Sequence, residues 1–180
     1  MKKPVEAQSS APPPVDWTTF FGGLPGAGPG TDGGRALTFL ATRNADLEPG
    51  VVMAFGLQPR DDGREVTVFL PESMTVPTMA NLRDNGQMAV TVVCPTTSCS
   101  VQIKGVWLGE RRTDENDRAF LEAYRDALLV EMGMVGVPRS VWQRFSWWPC
   151  LALRMEVRET FMQTPGPGAG RACPPLAVSR

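Results

Sequence analysis

The sequence contains no histidine. That absence removes Ser-His and Cys-His nucleophile pairs, a histidine general base, His-ligated metals and a haem with a proximal His. Chemistry here must draw on carboxylates, Lys, Arg, the single tyrosine Tyr124, thiols, backbone groups or a borrowed cofactor. Cysteine is sparse, and Cys94, Cys99, Cys150 and Cys173 form no C-x-x-C, so no metal site is expected. Free thiols are the expectation, with a Cys94–Cys99 disulfide as the alternative. The Gly/Pro stretch from Gly22 to Gly34 (GGLPGAGPGTDGG) lacks a Gly-x-Gly-x-x-Gly and reads as a linker, not a phosphate cradle. Neither sign of charge dominates: a net charge of -1 offers no basic balance for nucleic acid and no acidic tail. No apolar run reaches transmembrane length, and the lysines of MKKPVEAQSSAPPP have no apolar segment behind them. The expectation is a cytoplasmic protein that engages neither membrane nor nucleic acid.

What is present is enough for one domain: 180 residues, 42% of them hydrophobic. Residues 1–34 are expected to form a disordered or loop-rich arm, in which Asp16 to Phe21 could make one helical turn carrying Trp17, Phe20 and Phe21 onto a surface. Arg35 to Arg43, Val51 to Leu57 and, after the Asp61-Asp62-Gly63 turn, Glu65 to Leu70 read as strands. A short helix follows, with Thr75 placed to cap it, Met79 and Leu82 on one face and Asn85-Gly86 ending it. Met88 to Val93 is an apolar run of strand length. In the next strand Val101, Ile103, Gly105 and Trp107 alternate with Ser100, Gln102 and Lys104, so its polar face is where chemistry is sought. Thr113 to Met132 is the long helix, and Phe120, Leu121, Tyr124, Leu128 and Met132 trace a stripe suited to core or dimer packing. A second short helix is expected at Ser140 to Phe145 and a final strand from Trp148 to Met162. Short strands joined by tight turns argue for an antiparallel meander or barrel.

The order of these elements, with the words LATRNADLEPGVV, VFLPESMTVPTMANLRDNGQMAVTV and SVQIKG, resembles the pyridoxamine 5'-phosphate oxidase-like family, the FMN-binding split barrel. The closing QTPGPGAG is similar to a bacterial branch of that family. The resemblance covers residues 35–163 and leaves 164–180 as a Gly/Pro-rich tail. It implies a mainly β fold with flanking helices, a six-stranded antiparallel Greek-key split barrel, working as a homodimer with FMN at the interface and a small-molecule substrate. Relatives bind haem or a deazaflavin instead.

The carry-over of site residues is uneven. Where the oxidases place an Arg and a Lys on the flavin phosphate, this chain has Val52 and Leu57. Their Ser-Arg-Lys at the helix entry corresponds to Val76, Pro77 and Thr78, their strand glutamine falls near Ser100, and their Phe-Trp-Gln is Phe161, Met162 and Gln163. The substrate-binding arginine and histidine beyond it are replaced by the Pro/Gly segment, so pyridoxamine phosphate oxidase activity is not expected. The remaining candidates for the cofactor are Ser73, Thr75, Thr78 and Asn81 around the helix N-terminus, Ser100, Gln102 and Lys104 on the strand, and Gln163. For the helix hydroxyls capping is an equal reading, and for Gln102 and Lys104 a solvent-facing strand is. The functional expectation is an FMN-dependent oxidoreductase. Two alternatives stay open: a binding module with a degenerate flavin site that holds haem, a deazaflavin or a protein partner, and a dimeric structural body with no small molecule.

Overall fold

Every second side chain of β1 (Leu37–Arg43) is buried, with Thr38, Leu40 and Thr42 turned inward, and this two-residue period sets the pattern of the sheet. The computed structural model describes residues 36–60 and 64–173. The expected N-terminal arm, the helical turn at Asp16 to Phe21 and the Asp61-Asp62-Gly63 turn lie outside the described residues. After β1 come β2 (Pro49–Ala54), β3 (Leu57–Pro59) and β4 (Glu65–Pro71), then a 3-10 turn (Glu72–Met74) running into α1 (Thr75–Asn85). β5 (Gln87–Val93) and β6 (Ser100–Arg112) follow, then α2 (Glu115–Met134), the single turn α3 (Arg139–Trp142) and β7 (Cys150–Met162).

The strands form one antiparallel sheet in the order β2-β1-β5-β6-β7-β4-β3. Its two edge strands are consecutive in the chain, separated only by Phe55 and Gly56. The ends Ala54 and Leu57 are three residue steps apart and so at most about 11 Å from each other, so the sheet has to curl until its edges approach. The Phe55 N–H donates to the Phe69 carbonyl at 2.8 Å, fastening the corner to β4. No ladder joins β2 to β3 among the described residues, so the barrel stays split. The expected architecture is present with seven strands in place of six, because the run from Val51 to Leu57 is broken at Gly56. That glycine has φ +92°, and a Cβ there would lie 2.9 Å from Cε1 of Phe120.

Two apolar clusters hold the fold together. Inside the barrel, Leu40, Val68, Val90, Ile103, Leu153 and Met155 are fully buried and are covered by Met79 and Leu82 of α1. Outside it, Leu121, Tyr124 and Leu128 of α2 pack on Phe55, Phe69 and Cys150, so the helix stripe is core. Tyr124 also donates its hydroxyl to the Ala36 carbonyl at 2.6 Å.

Several boundaries differ from the sequence expectation. Thr75 does not cap α1: Met74 holds that position, and the Thr75 hydroxyl instead donates to the Glu72 carbonyl at 2.8 Å within the preceding turn. α2 starts two residues later than expected because Asp114 and Asp117 form a capping box. β7 begins at Cys150, since Trp147 and Trp148 pack on the outer cluster. The tail expected from residue 164 turns back onto β7: Gly170 N–H donates to Met162 O, Met162 N–H to Arg171 O and Cys173 N–H to Thr160 O, at 2.8, 2.9 and 2.8 Å. All four cysteines are free, and Cys94 donates to the buried Glu131 carboxylate at 3.4 Å. Among the described residues, no helix is long and apolar enough to cross a membrane.

Candidate functional site

The register of the sheet fixes what shares its outer face, the side opposite Leu40. One row across the strands reads Met53, Phe39, Thr91, Gln102 and Phe161. The next reads Val51, Ala41, Ala89, Lys104 and Glu159. Phe39, Ala41, Thr91, Ala89 and Gln102 are half-buried, while Val51 and Lys104 are exposed. Gln102 Nε2 donates to Thr91 Oγ1 at 3.5 Å, a long contact that orients the amide without using its full capacity. Lys104 Nζ sits 4.6 Å above the centre of the Phe161 ring. Amide, hydroxyl and ammonium are thus grouped on a face whose other members, apart from Glu159 opposite Lys104, are apolar.

The second group of expected residues does not join them. Asn81 donates to the Thr42 hydroxyl at 3.0 Å, and Thr42 points to the same side as Leu40. α1 therefore covers the sheet from the side opposite Gln102 and Lys104. Of its hydroxyls, Ser73 is exposed, Thr75 is half-buried and Thr78 is 3% exposed, out of reach of a ligand on the helix surface. Ser100 and Gln163 form a third locus: the Gln163 N–H donates to Ser100 O at 2.8 Å, and Thr164 Oγ1 accepts from Ser100 N–H at 3.0 Å. Ser100 is itself buried, so these two residues anchor the returning tail.

Val52 and Leu57, which stand where the oxidases carry phosphate-binding cations, belong to the inner cluster. The first turn of α1 carries no basic residue, and Arg83 in its last turn pairs with Glu110 at 3.5 Å. Lys104 is the one cation within the expected set. With one cation, the set does not reproduce the Arg–Lys grip of the oxidases.

Burial pushes the Tyr124 hydroxyl and the Cys150 thiol each up to about 12, and raises the Cys173 thiol as well. A hydrogen bond from Arg111 holds the Asp117 carboxyl below the usual carboxylate range, although burial acts in the other direction.

A second feature was not foreseen from the sequence. Between α2, α3 and the β2–β3 corner lies a cleft of about 360 Å³, lined by Phe55, Arg125, Leu129, Arg139, Trp142 and Trp147 among others. The Arg125 guanidinium stacks over Trp147 at 4.6 Å and pairs with Asp126 at 2.9 Å. Arg139 makes no ion pair among the described residues, and the buried Nε1 of Trp142 has no hydrogen-bond partner there. The aromatic run WQRFSWW was the available signal, but it reads equally well as core or interface.

No protein-family model and no curated protein matches the chain. Among solved structures it is similar to HupZ of Group A Streptococcus, at 18% identity and a TM-score of 0.46, covering 75% of this chain and 90% of that one. An F420 reductase aligns at 13% identity and a TM-score of 0.45, over 70% of this chain and 89% of its own. An FMN-binding protein from Syntrophomonas wolfei subsp. wolfei aligns at 12% and 0.43, over 79% and 78%. Structural neighbours also include pyridoxamine 5'-phosphate oxidase-like and general stress protein 26 proteins, the family whose words the sequence resembles.

Proposed function

We propose that this chain is a flavin-binding split-barrel protein that holds FMN and acts as an oxidoreductase on a small substrate, as a homodimer in the cytoplasm. One observation carries the reading: Gln102, Thr91 and Lys104 are grouped beside Phe161 on a sheet face whose other members, apart from Glu159, are apolar. Polar groups on a face destined for cover need partners, and an aromatic ligand with amide edges and an anionic tail supplies them. Gln102 would hold the ring edge, Thr91 would orient Gln102, and Lys104 would meet the phosphate. When bound, the flavin supplies the hydride or electron transfer. The chain's part is to position the ring and exclude water, which agrees with the absence of histidine and with the Cys150 and Cys173 thiols, whose pKa burial raises. Phe39, Ala41, Ala89 and Val51 on the same face suit cover by a second protomer.

The inward packing of Val52 and Leu57 favours a second reading, a binding module for a ligand other than FMN. A single preparation separates the two. Protein purified without added cofactor is examined by visible spectroscopy, and any chromophore is released by heat and identified by mass. A yellow protein that yields FMN near one per subunit is the expected result, with Gln102→Ala and Lys104→Ala each weakening FMN binding at least tenfold. A colourless protein that fails to bind added FMN rejects the flavoprotein. A Soret band or a released deazaflavin puts the second reading in its place.

A further inference from the structure

The turn between β5 and β6 holds two of the four cysteines opposite one another. The ladder of these strands ends at Val93 opposite Ser100, and one residue further on the Cys94 N–H donates to the Cys99 carbonyl at 2.9 Å. Cys94 and Cys99 are therefore the next opposed pair, and opposed residues project to the same face of a sheet. Cα atoms in such a pair lie about 5.5 Å apart, inside the span that a disulfide bridges. The return bond of this rung is not made. Instead the Cys99 N–H donates to Thr97 Oγ1 at 3.3 Å, and the Cys94 carbonyl accepts from the Ser98 N–H at 2.9 Å.

Cys94 also faces a carboxylate. Its thiol donates to Glu131 of α2 at 3.4 Å, and the Thr96 hydroxyl donates to the same oxygen. Glu131 is 3% exposed and makes no ion pair among the described residues. A carboxylate buried without a cation is costly, and the turn supplies both of its donors. Cys94 is buried with it, whereas Cys99 is only half-buried. The other two thiols have neither arrangement: Cys150 stands opposite Pro71, the Cys173 N–H donates to Thr160 O, and burial raises both thiols above their ordinary range.

We propose that Cys94 and Cys99 form a reversible disulfide on reaction with a hydroperoxide, with Glu131 as the base. The Cys99 sulfur attacks the hydroperoxide, the O–O bond breaks, and Cys99 becomes a sulfenic acid as the alcohol (water, for hydrogen peroxide) leaves. Cys94 then attacks the Cys99 sulfur: the S–S bond forms and the S–OH bond breaks. Glu131 takes the Cys94 proton and passes it to the departing hydroxide, which leaves as water. Two thiols are oxidised and one hydroperoxide is reduced, and a dithiol reductant restores the pair by exchange. The half-made rung leaves the turn free to adjust as the bond closes. This chemistry is separate from the outer sheet face and does not rest on flavin binding.

Reduced full-length protein treated with one equivalent of hydrogen peroxide provides the test. One tryptic peptide, residues 84–104, carries both cysteines. The bond is read as loss of two hydrogens from that peptide, resistant to alkylation and reversed by dithiothreitol. It is expected to form at least tenfold faster than Cys150 or Cys173 is oxidised. Cys94→Ser should stop at the Cys99 sulfenic acid, trapped by dimedone, and Cys99→Ser should yield neither product. Glu131→Gln should slow closure at least tenfold while sulfenic acid forms at the wild-type rate, and Glu131→Asp, which keeps a carboxylate, should recover most of the loss. Circular dichroism checks that each variant is folded; if Glu131→Gln is not, the two serine variants decide the bond and Glu131→Asp the base. A wild-type peptide 84–104 that stays open to alkylation at both cysteines overturns the proposal, as does a bond mapped to Cys173 or to a second copy. Closure at the wild-type rate in folded Glu131→Gln, or a Glu131→Asp variant that cannot close, overturns the role of Glu131.

Discussion

Asp117 joins two elements. Its carboxylate accepts from the Asp114 N–H to complete the capping box of α2, and it takes both arms of the Arg111 guanidinium from the end of β6. It is 5% exposed, so an amide in its place would lose the ion pair while leaving Arg111 without an anion. Asp117→Asn is expected to lower the free energy of unfolding at pH 7 by about 2 kcal/mol, from the lost charge-assisted bonds to Arg111. Because the Arg111 hydrogen bond depresses the folded-state pKa of Asp117, this stabilisation is present above the unfolded value of about 4 and disappears as pH falls through the lower folded value. Urea titrations of both proteins should therefore show a gap that is constant between pH 6 and 8 and closes in acid. A gap that persists undiminished at pH 2 would contradict the assignment.

At the scale of the element, β6 depends on a bulge. The register with β7 slips between Lys104 and Gly105, and a Cβ on Gly105 would lie 2.0 Å from the backbone oxygen of Glu156. Neither strand can withdraw without breaking its ladder, so Gly105→Ala is expected to cost about 3 kcal/mol, read as a lower midpoint in thermal or urea melts. Elements with a local signal were legible: β1 as a strand bounded by a turn, β5 from its apolar run, β6 from alternation, α2 from its stripe. Gln102 and Lys104 share one face of β6, as its alternation predicts. What was missed is tertiary in origin. Nothing local announces that Gly56 must bend against Phe120, and that contact divides one apolar run into β2 and β3. Thr78 is an ordinary helix hydroxyl in sequence; only the way α1 lies on the barrel buries it. The cleft is assembled from Phe55, Leu129 and Trp142, three stretches with no shared signature.

For the whole molecule, the outer sheet face is the feature with most at stake. Val51 is 64% exposed in the single chain, so Val51→Glu should leave the protomer folded. If two copies associate through this face, the substitution buries a charge on it and shifts sedimentation from dimer to monomer. A dimer that survives unchanged would place the interface elsewhere. The strand order has a different consequence, for the growing chain. β4 pairs along its length with β7, from Glu65 opposite Glu156 to Pro71 opposite Cys150, and its other neighbour is the three-residue β3. During synthesis, Val66, Phe69 and Leu70 leave the ribosome roughly 5–20 s before the strand that covers them, at ordinary elongation rates. For that interval the nascent protein carries an open, strongly apolar edge, and a chain halted before Cys150 has no means of closing it. Folding of the barrel thus waits on its last strand, and prematurely terminated chains are the ones that should aggregate and occupy chaperones.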